Sequence, residues 1–174
     1  MVKDGSSARR AGPHKSAARS GAATTRVGPL IVGWTELVAL PDWGVSSVRA
    51  KMDTGARSSA LHVEHVELLG RGMVGFDVIL DRRKSHRRVP VRARIQRKSR
   101  VRSSNGEYST RLFVSTRLRL GPIEREVEFS LVDRAKMIHR VLLGRSALEG
   151  VFVDVSHRRL LGRPSVWARR RHGR

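Results

Sequence analysis

The chain has 174 residues, no cysteine and a formal charge of +21, with Arg outnumbering Lys by 30 to 6. Such a length is most simply one domain with tails, and the absence of cysteine excludes a disulfide framework, a thiolate metal site and a thiol nucleophile. No apolar run is long enough to span a bilayer, and the first residues lack the apolar core of a secretory signal, so a soluble cytoplasmic protein with no membrane partner is expected.

Residues 1–29 carry six Lys/Arg against Asp4 and show no periodic apolar pattern. Such a segment cannot bury enough surface to offset its ordering entropy, so a basic disordered tail is expected. An Arg- and Ser-rich, acid-poor start also fits an organelle transit peptide, and a bacterial basic tail explains it equally. Residues 30–162 form the expected folded domain, and about 130 residues suffice for a single core. This region still holds 25 basic and 14 acidic residues, so basic charge lies in the domain as well as in the tails. A surface of that sign attracts nucleic acid, the ribosome, anionic polymers or acidic peptides, and says little about fold.

Within the domain, residues 31–40 and 45–52 read as strands separated by the turn Pro41-Asp42-Trp43-Gly44. The second strand runs into Asp53-Thr54-Gly55-Ala56. Residues 59–68 alternate loosely, and 73–80 read as a strand. A charged hairpin loop at 81–87 leads to a strand at 89–95. Ser103-Ser104-Asn105-Gly106 contains Asn-Gly, a strong tight-turn signal. Residues 112–120 alternate cleanly, with Leu112, Val114, Thr116, Leu118 and Leu120 on one side. Gly121-Pro122 turns the chain into a strand at 123–132. Helix is expected only at 146–149 and at 134–138. Residues 163–174 form a second basic tail around Trp167, either solvated or phosphate-binding. Many short strands with regular turns indicate a compact β-barrel.

An extended segment that turns sharply at Asp-Thr-Gly is the half-site of an aspartic peptidase. Asp53 reaches an attacking water, the Thr54 hydroxyl can bond across a symmetry axis, and Gly55 lets the backbone approach a partner loop. The same triplet also reads as an ordinary turn. A second element, Val141-Leu142-Leu143-Gly144-Arg145-Ser146, is an apolar strand followed by a Gly-Arg turn. Retropepsins carry this type of run near the chain end, packed beside the Asp-Thr-Gly loop.

Over a longer span, Gly33-Trp34, the run 37–42, the run 51–62, Val101-Arg102-Ser103-Ser104-Asn105-Gly106 and Leu142-Leu143-Gly144-Arg145 together resemble one bacterial family. Its members are retropepsin-like peptidases, often labelled ATP-dependent zinc proteases and associated with RimK-type glutamate ligases. The resemblance covers about residues 32–162. It implies an all-β, closed acid-protease barrel with one short helix near the C-terminus. It also implies catalysis by Asp53 with Thr54 and Gly55, supported by Lys51, Ala56, His62, Leu143 and Gly144.

The chain holds one Asp-Thr-Gly, whereas this chemistry needs two carboxylates around one water. Two such groups about 3 Å apart cannot both ionise easily, so one keeps a proton. A single-copy chain meets that need only as a two-fold homodimer. By the resemblance, Ser103, Ser104, Asn105 and Gly106 occupy the place of a substrate-covering flap; a plain hairpin turn is the alternative. Retropepsins usually place an acidic residue after Asp-Thr-Gly-Ala, where it pairs with the Arg of the late Gly-Arg motif. Here that position is Arg57 and the later one is Arg145. The two guanidinium groups are expected to read carboxylates bidentately; pairing with a local group such as Glu149, or projection into water, is the plainer alternative. The association with glutamate ligases and the basic charge imply an acidic, glutamate-rich or glutamate-tailed substrate.

No cofactor is expected. His62-Val63-Glu64-His65 matches neither helical zinc pattern, and in a strand His62 and His65 point to opposite faces. His62 either supports the Asp53 loop or is a packed histidine. No Gly-x-x-x-x-Gly-Lys-Ser/Thr phosphate loop supports ATP dependence. The competing reading is a non-catalytic basic barrel that binds RNA, the ribosome or an acidic protein; the tails make phosphate contact easy and non-specific.

Overall fold

The computed structural model describes residues 29–81, 87–102, 108–133, 135 and 138–162. Among them are ten strands: β1 (Leu30–Gly33), β2 (Thr35–Leu40), β3 (Val45–Met52), β4 (Ser59–Gly70), β5 (Met73–Ile79), β6 (Arg88–Arg102), β7 (Tyr108–Leu120), β8 (Ile123–Val132), β9 (Val141–Leu143) and β10 (Val151–Asp154). Eight of these form one sheet in the order β2-β3-β9-β4-β5-β6-β7-β8. Pairings of β2 with β7 and of β4 with β8 bend that sheet into an almost closed ring. Closure removes the open edges that an isolated sheet would expose. The parallel pair β1–β10 sits beside it.

Alternation along the strands explains the core. On β7, Val114, Thr116, Leu118 and Leu120 are buried and face inward with Leu61, Val127 and Phe129. Phe113, on the opposite face, is covered by Arg97, whose guanidinium lies 3.5 Å from the ring centroid. Arg97 also donates to Glu128 at 2.6 Å.

The all-β barrel reading holds, with three corrections. The run 31–40 is not one strand. It breaks at Trp34, whose N–H donates to His157 O while its carbonyl accepts from Met52 N. The helix expected at 146–149 is a single 3-10 turn at Arg145–Ala147, because Ala147 and Leu148 donate to carbonyls three residues back, those of Gly144 and Arg145. Its short span hands the chain directly to β10, which the sequence pattern did not single out. The third correction concerns length: β6 and β7 extend to Arg102 and Tyr108. They run as a two-stranded arm past the last β7–β8 pair, where inward and outward faces no longer differ in burial. The helix read at 134–138 falls mostly outside the described residues, and Ala135 lies in a turn. The basic tails, apart from Pro29, also lie outside them.

Candidate active site

From Val48 onward β3 alternates, with Val48, Ala50 and Met52 in the core and Arg49 and Lys51 exposed. Continued by one residue, that alternation brings Asp53 out on the Lys51 face, half-buried. Backbone bonds then hold the strand end from two sides. Met52 N donates to Trp34 O at 3.0 Å, and Asp53 N donates to Leu143 O at 2.8 Å. β3 and β9 run parallel here, with Met52 opposite Leu143 and Lys51 opposite Leu142.

The Asp53-Thr54-Gly55-Ala56 loop closes on itself and on the Gly144-Arg145 turn. Asp53 Oδ1 accepts the Ala56 N–H at 3.2 Å, an Asx-type turn. Arg145 N donates to Ala56 O at 2.9 Å and Ser146 N to Arg57 O at 3.1 Å. Ser146 Oγ donates to the same Arg57 carbonyl at 2.9 Å. The Arg145 guanidinium donates to Gly55 O at 2.7 Å and to Thr54 O at 3.2 Å. Beneath them, Gly144 N donates to buried Ser59 Oγ at 3.2 Å, and Ser130 Oγ donates to Ser59 O at 3.1 Å. Thr54 and Gly55 form the exposed tip.

Gly144 is required by close approach. A Cβ there would sit 2.6 Å from Ser58 O and 2.7 Å from both Arg57 O and Ser58 C, all backbone atoms that cannot swing away. Gly144→Ala is expected to push the Asp53 loop aside. Overpacking of this kind costs about 1–3 kcal/mol, and a displacement near 1 Å lowers turnover by about 10²-fold. Urea denaturation alongside a cleavage assay checks both; unchanged values in the two would show that the loop yields.

Other expected site residues are placed as follows. Arg57 is exposed, and its side chain meets no carboxylate among the described residues. Arg145 lies against the loop carbonyls rather than beside a carboxylate. Ser103, Ser104, Asn105 and Gly106 lie outside the described residues, between Arg102 and Tyr108, which pair with each other. His62 is fully buried on β4, with its N–H donating to Arg140 O at 2.7 Å. His65 is exposed and bonded to Asp77 at 2.9 Å. The two therefore point apart. Among the described residues, no group of three or more His, Asp or Glu converges as a metal ion requires, so the zinc label finds no donor set there.

Burial holds the His62 pKa below its ordinary value, reinforced by the Arg140 cation and opposed by the Val132 backbone, Asp133 and Glu64. The unfolded chain thus binds a proton near pH 6.5 that the folded chain refuses. Stability is complete above that pH and falls as pH drops below about 6.5, by at most about 1.4 kcal/mol per unit. Urea midpoints between pH 8 and 5 are expected to fall for the wild type and to flatten in His62→Gln. A parallel fall in both would assign the acid sensitivity elsewhere.

Two features escaped the sequence reading. Glu36, completely buried, accepts from Gly33 N and Leu160 N at 2.8 Å and from Leu161 N at 3.4 Å. Its only signal was a carboxylate inside an otherwise apolar strand. Asp154, Ser156 and His157 form a Ser–His–Asp trio, but His157 meets both partners through Nδ1, at 2.7 and 3.0 Å. A proton relay needs one ring nitrogen for each, so this is a turn. The Ser156 hydroxyl, its N–H and His157 hold the Asp154 carboxyl down to about 2.

A clamped Asp-Thr-Gly loop backed by a Gly-Arg turn inside a β-ring is a retropepsin arrangement, and comparison with known proteins agrees. A family model described as RimB-like, retropepsin-like aspartic endopeptidase RimB, matches residues 31–164. The chain belongs to the RimB-like family. Its relatives include a protein of Shewanella pealeana named probable alpha-L-glutamate ligase, 33% identical over 138 residues, which are 76% of this chain and 30% of that protein. A likewise named protein of Desulfotalea psychrophila is 30% identical over 141 residues, 78% of this chain and 30% of that protein. The chain thus spans under a third of the curated relatives it matches. A crystal structure of Legionella pneumophila Lpg0085, a DUF785 protein of unknown function, shares the fold with a TM-score of 0.64 and 23% identity, over 76% of this chain and 98% of that one. No helix among the described residues is long and apolar enough to cross a membrane.

Proposed function

We propose that this RimB-like chain is one half of an aspartic peptidase, active as a two-fold homodimer on acidic, glutamate-rich or glutamate-tailed polypeptides. The observation that carries the reading is the clamped loop: ten hydrogen bonds and a sterically required glycine fix half-buried Asp53 at the base of an exposed tip. Such preorganisation suits a catalytic carboxylate better than a plain turn. Two copies of Asp53 share one proton. The ionised carboxylate takes a proton from water as the water oxygen attacks the scissile carbonyl carbon. The protonated carboxyl hydrogen-bonds to the carbonyl oxygen as it gains charge. A proton then passes to the leaving nitrogen, and the C–N bond breaks. Thr54 of each copy braces the paired loops. Arg145 positions the loop by neutralising its carbonyl dipoles, and Arg57, which meets no carboxylate among the described residues, stands ready for an acidic substrate group.

The ligase name of the relatives supports the substrate class, because a ligase that adds glutamate makes an acidic chain that a peptidase can trim. Incubation with a glutamate-tailed peptide and mass detection of products tests the reading. Shortened products are expected. No cleavage by a confirmed dimer, with tight binding of the same peptide, would favour the basic binding barrel.

A further inference from the structure

The face of β3 that carries Asp53 is cationic on its approach side. Arg49 and Lys51 are exposed there, spaced as alternate strand residues, about 6.6–6.8 Å apart. Lys51 lies opposite Thr35 on β2, and Thr35 O accepts the Arg159 N–H at 2.8 Å. The segment 157–159 is pressed onto the same corner, since a Cβ on Gly33 would meet His157 O at 2.7 Å and Arg159 N at 2.8 Å. The Arg158 guanidinium lies 4.5 Å from the Trp34 ring centroid, and the Trp34 carbonyl holds Met52, the residue before Asp53. Arg49 and Lys51 thus share one face of the strand that leads to Asp53, and the segment bearing Arg158 and Arg159 is held by its backbone against the adjacent end of β2.

This corner is built. Buried Glu36 ties the segment down through Leu160 N and Leu161 N. Arg159 is held at φ +55, a conformation uncommon outside glycine. Arg49, Lys51, Arg158 and Arg159 have no carboxylate partner among the described residues. Of the acidic groups close by, Asp154 is engaged by Ser156 and His157, Glu36 by backbone N–H groups, and Asp53, on the Lys51 face, accepts the Ala56 N–H.

The geometry points to a carboxylate-reading subsite on one side of the scissile bond, with Lys51 at its centre and Arg49, Arg158 and Arg159 around it. Its ligands are Glu or Asp side chains of an extended polypeptide. The Arg49–Lys51 spacing equals that of alternate side chains on an extended peptide, and Lys51 stands two residues from the group that must meet the peptide bond. This assignment rests on the peptidase reading and adds to it which residues select the substrate. Lys51 acts as a specificity residue, not a catalytic one.

The test compares wild type, Lys51→Glu and Lys51→Arg on matched glutamate-tailed and glutamine-tailed peptides. The kcat/KM ratio of the first peptide to the second is expected to fall at least about tenfold in Lys51→Glu, mainly through KM, and to recover in Lys51→Arg. An unchanged ratio in Lys51→Glu overturns the subsite. Fluorescence anisotropy with the full-length Asp53→Asn chain, with and without Lys51→Glu, reads the same preference without turnover. Glutamate-tail binding that depends on Lys51, with no cleavage by wild type, would sink the peptidase reading and leave the subsite standing. An oligonucleotide of equal charge forms the last arm; if it binds as tightly and loses as much with Lys51→Glu, the patch is a general polyanion surface and the proposal fails.

Discussion

Asp53→Asn is expected to remove peptide cleavage, with turnover falling at least about 10³-fold, while the fold and the dimer persist. The amide keeps the shape of the carboxylate, and its oxygen still accepts the Ala56 N–H that closes the loop. It cannot take a proton from water, and general-base activation of this kind contributes about 10²–10⁴-fold. In a dimer both copies lose it together. Sedimentation and circular dichroism check the fold, and mass detection of products checks the chemistry. Turnover that survives the substitution would assign catalysis to another group. Chelators are expected to leave the wild-type rate unchanged; full loss in a chelator, restored by zinc, would overturn the aspartic mechanism.

Glu36→Ala is expected to lower stability by about 3–5 kcal/mol. Two short bonds and one long one disappear, and a buried N–H left without an acceptor, as Gly33 N would be, costs about 1–3 kcal/mol. A domain with about 5–15 kcal/mol in total cannot absorb that quietly; Tm is expected to fall by more than about 10 °C. Glu36→Gln retains one carbonyl oxygen and is expected to lose about half as much. A drop in Glu36→Ala below about 1 kcal/mol would show that water replaces the carboxylate. Because Glu36 holds the segment that carries Arg158 and Arg159, the surviving folded fraction is also expected to prefer glutamate tails less.

These two residues differ in how visible they are along the chain. Asp53 announces itself because Asp, Thr and Gly are adjacent and follow an alternating strand; loop chemistry of that kind is local. The late Gly-Arg turn is visible for the same reason, and so is the β-rich barrel, since inward and outward residues differ at a spacing of two. Glu36 carries no such mark. Its partners Leu160 and Leu161 lie more than 120 residues away, and nothing in a strand's periodicity records a distant backbone N–H.

The same distinction separates the parts of the site. The sequence by itself determined the all-β class, the Asp-Thr-Gly turn at the end of an alternating strand and the late Gly-Arg turn, because each depends on neighbours a few residues apart. Only the tertiary structure decided that Arg145 bonds to carbonyls 90 and 91 residues earlier, that Gly144 has no room for a methyl group, and that the segment 157–159 is held against Gly33 and Thr35. Those relations arise where a parallel β3–β9 pair and a clamped C-terminal segment meet. Burial and backbone pairing across the ring set them, and neither is written as a spacing along the chain.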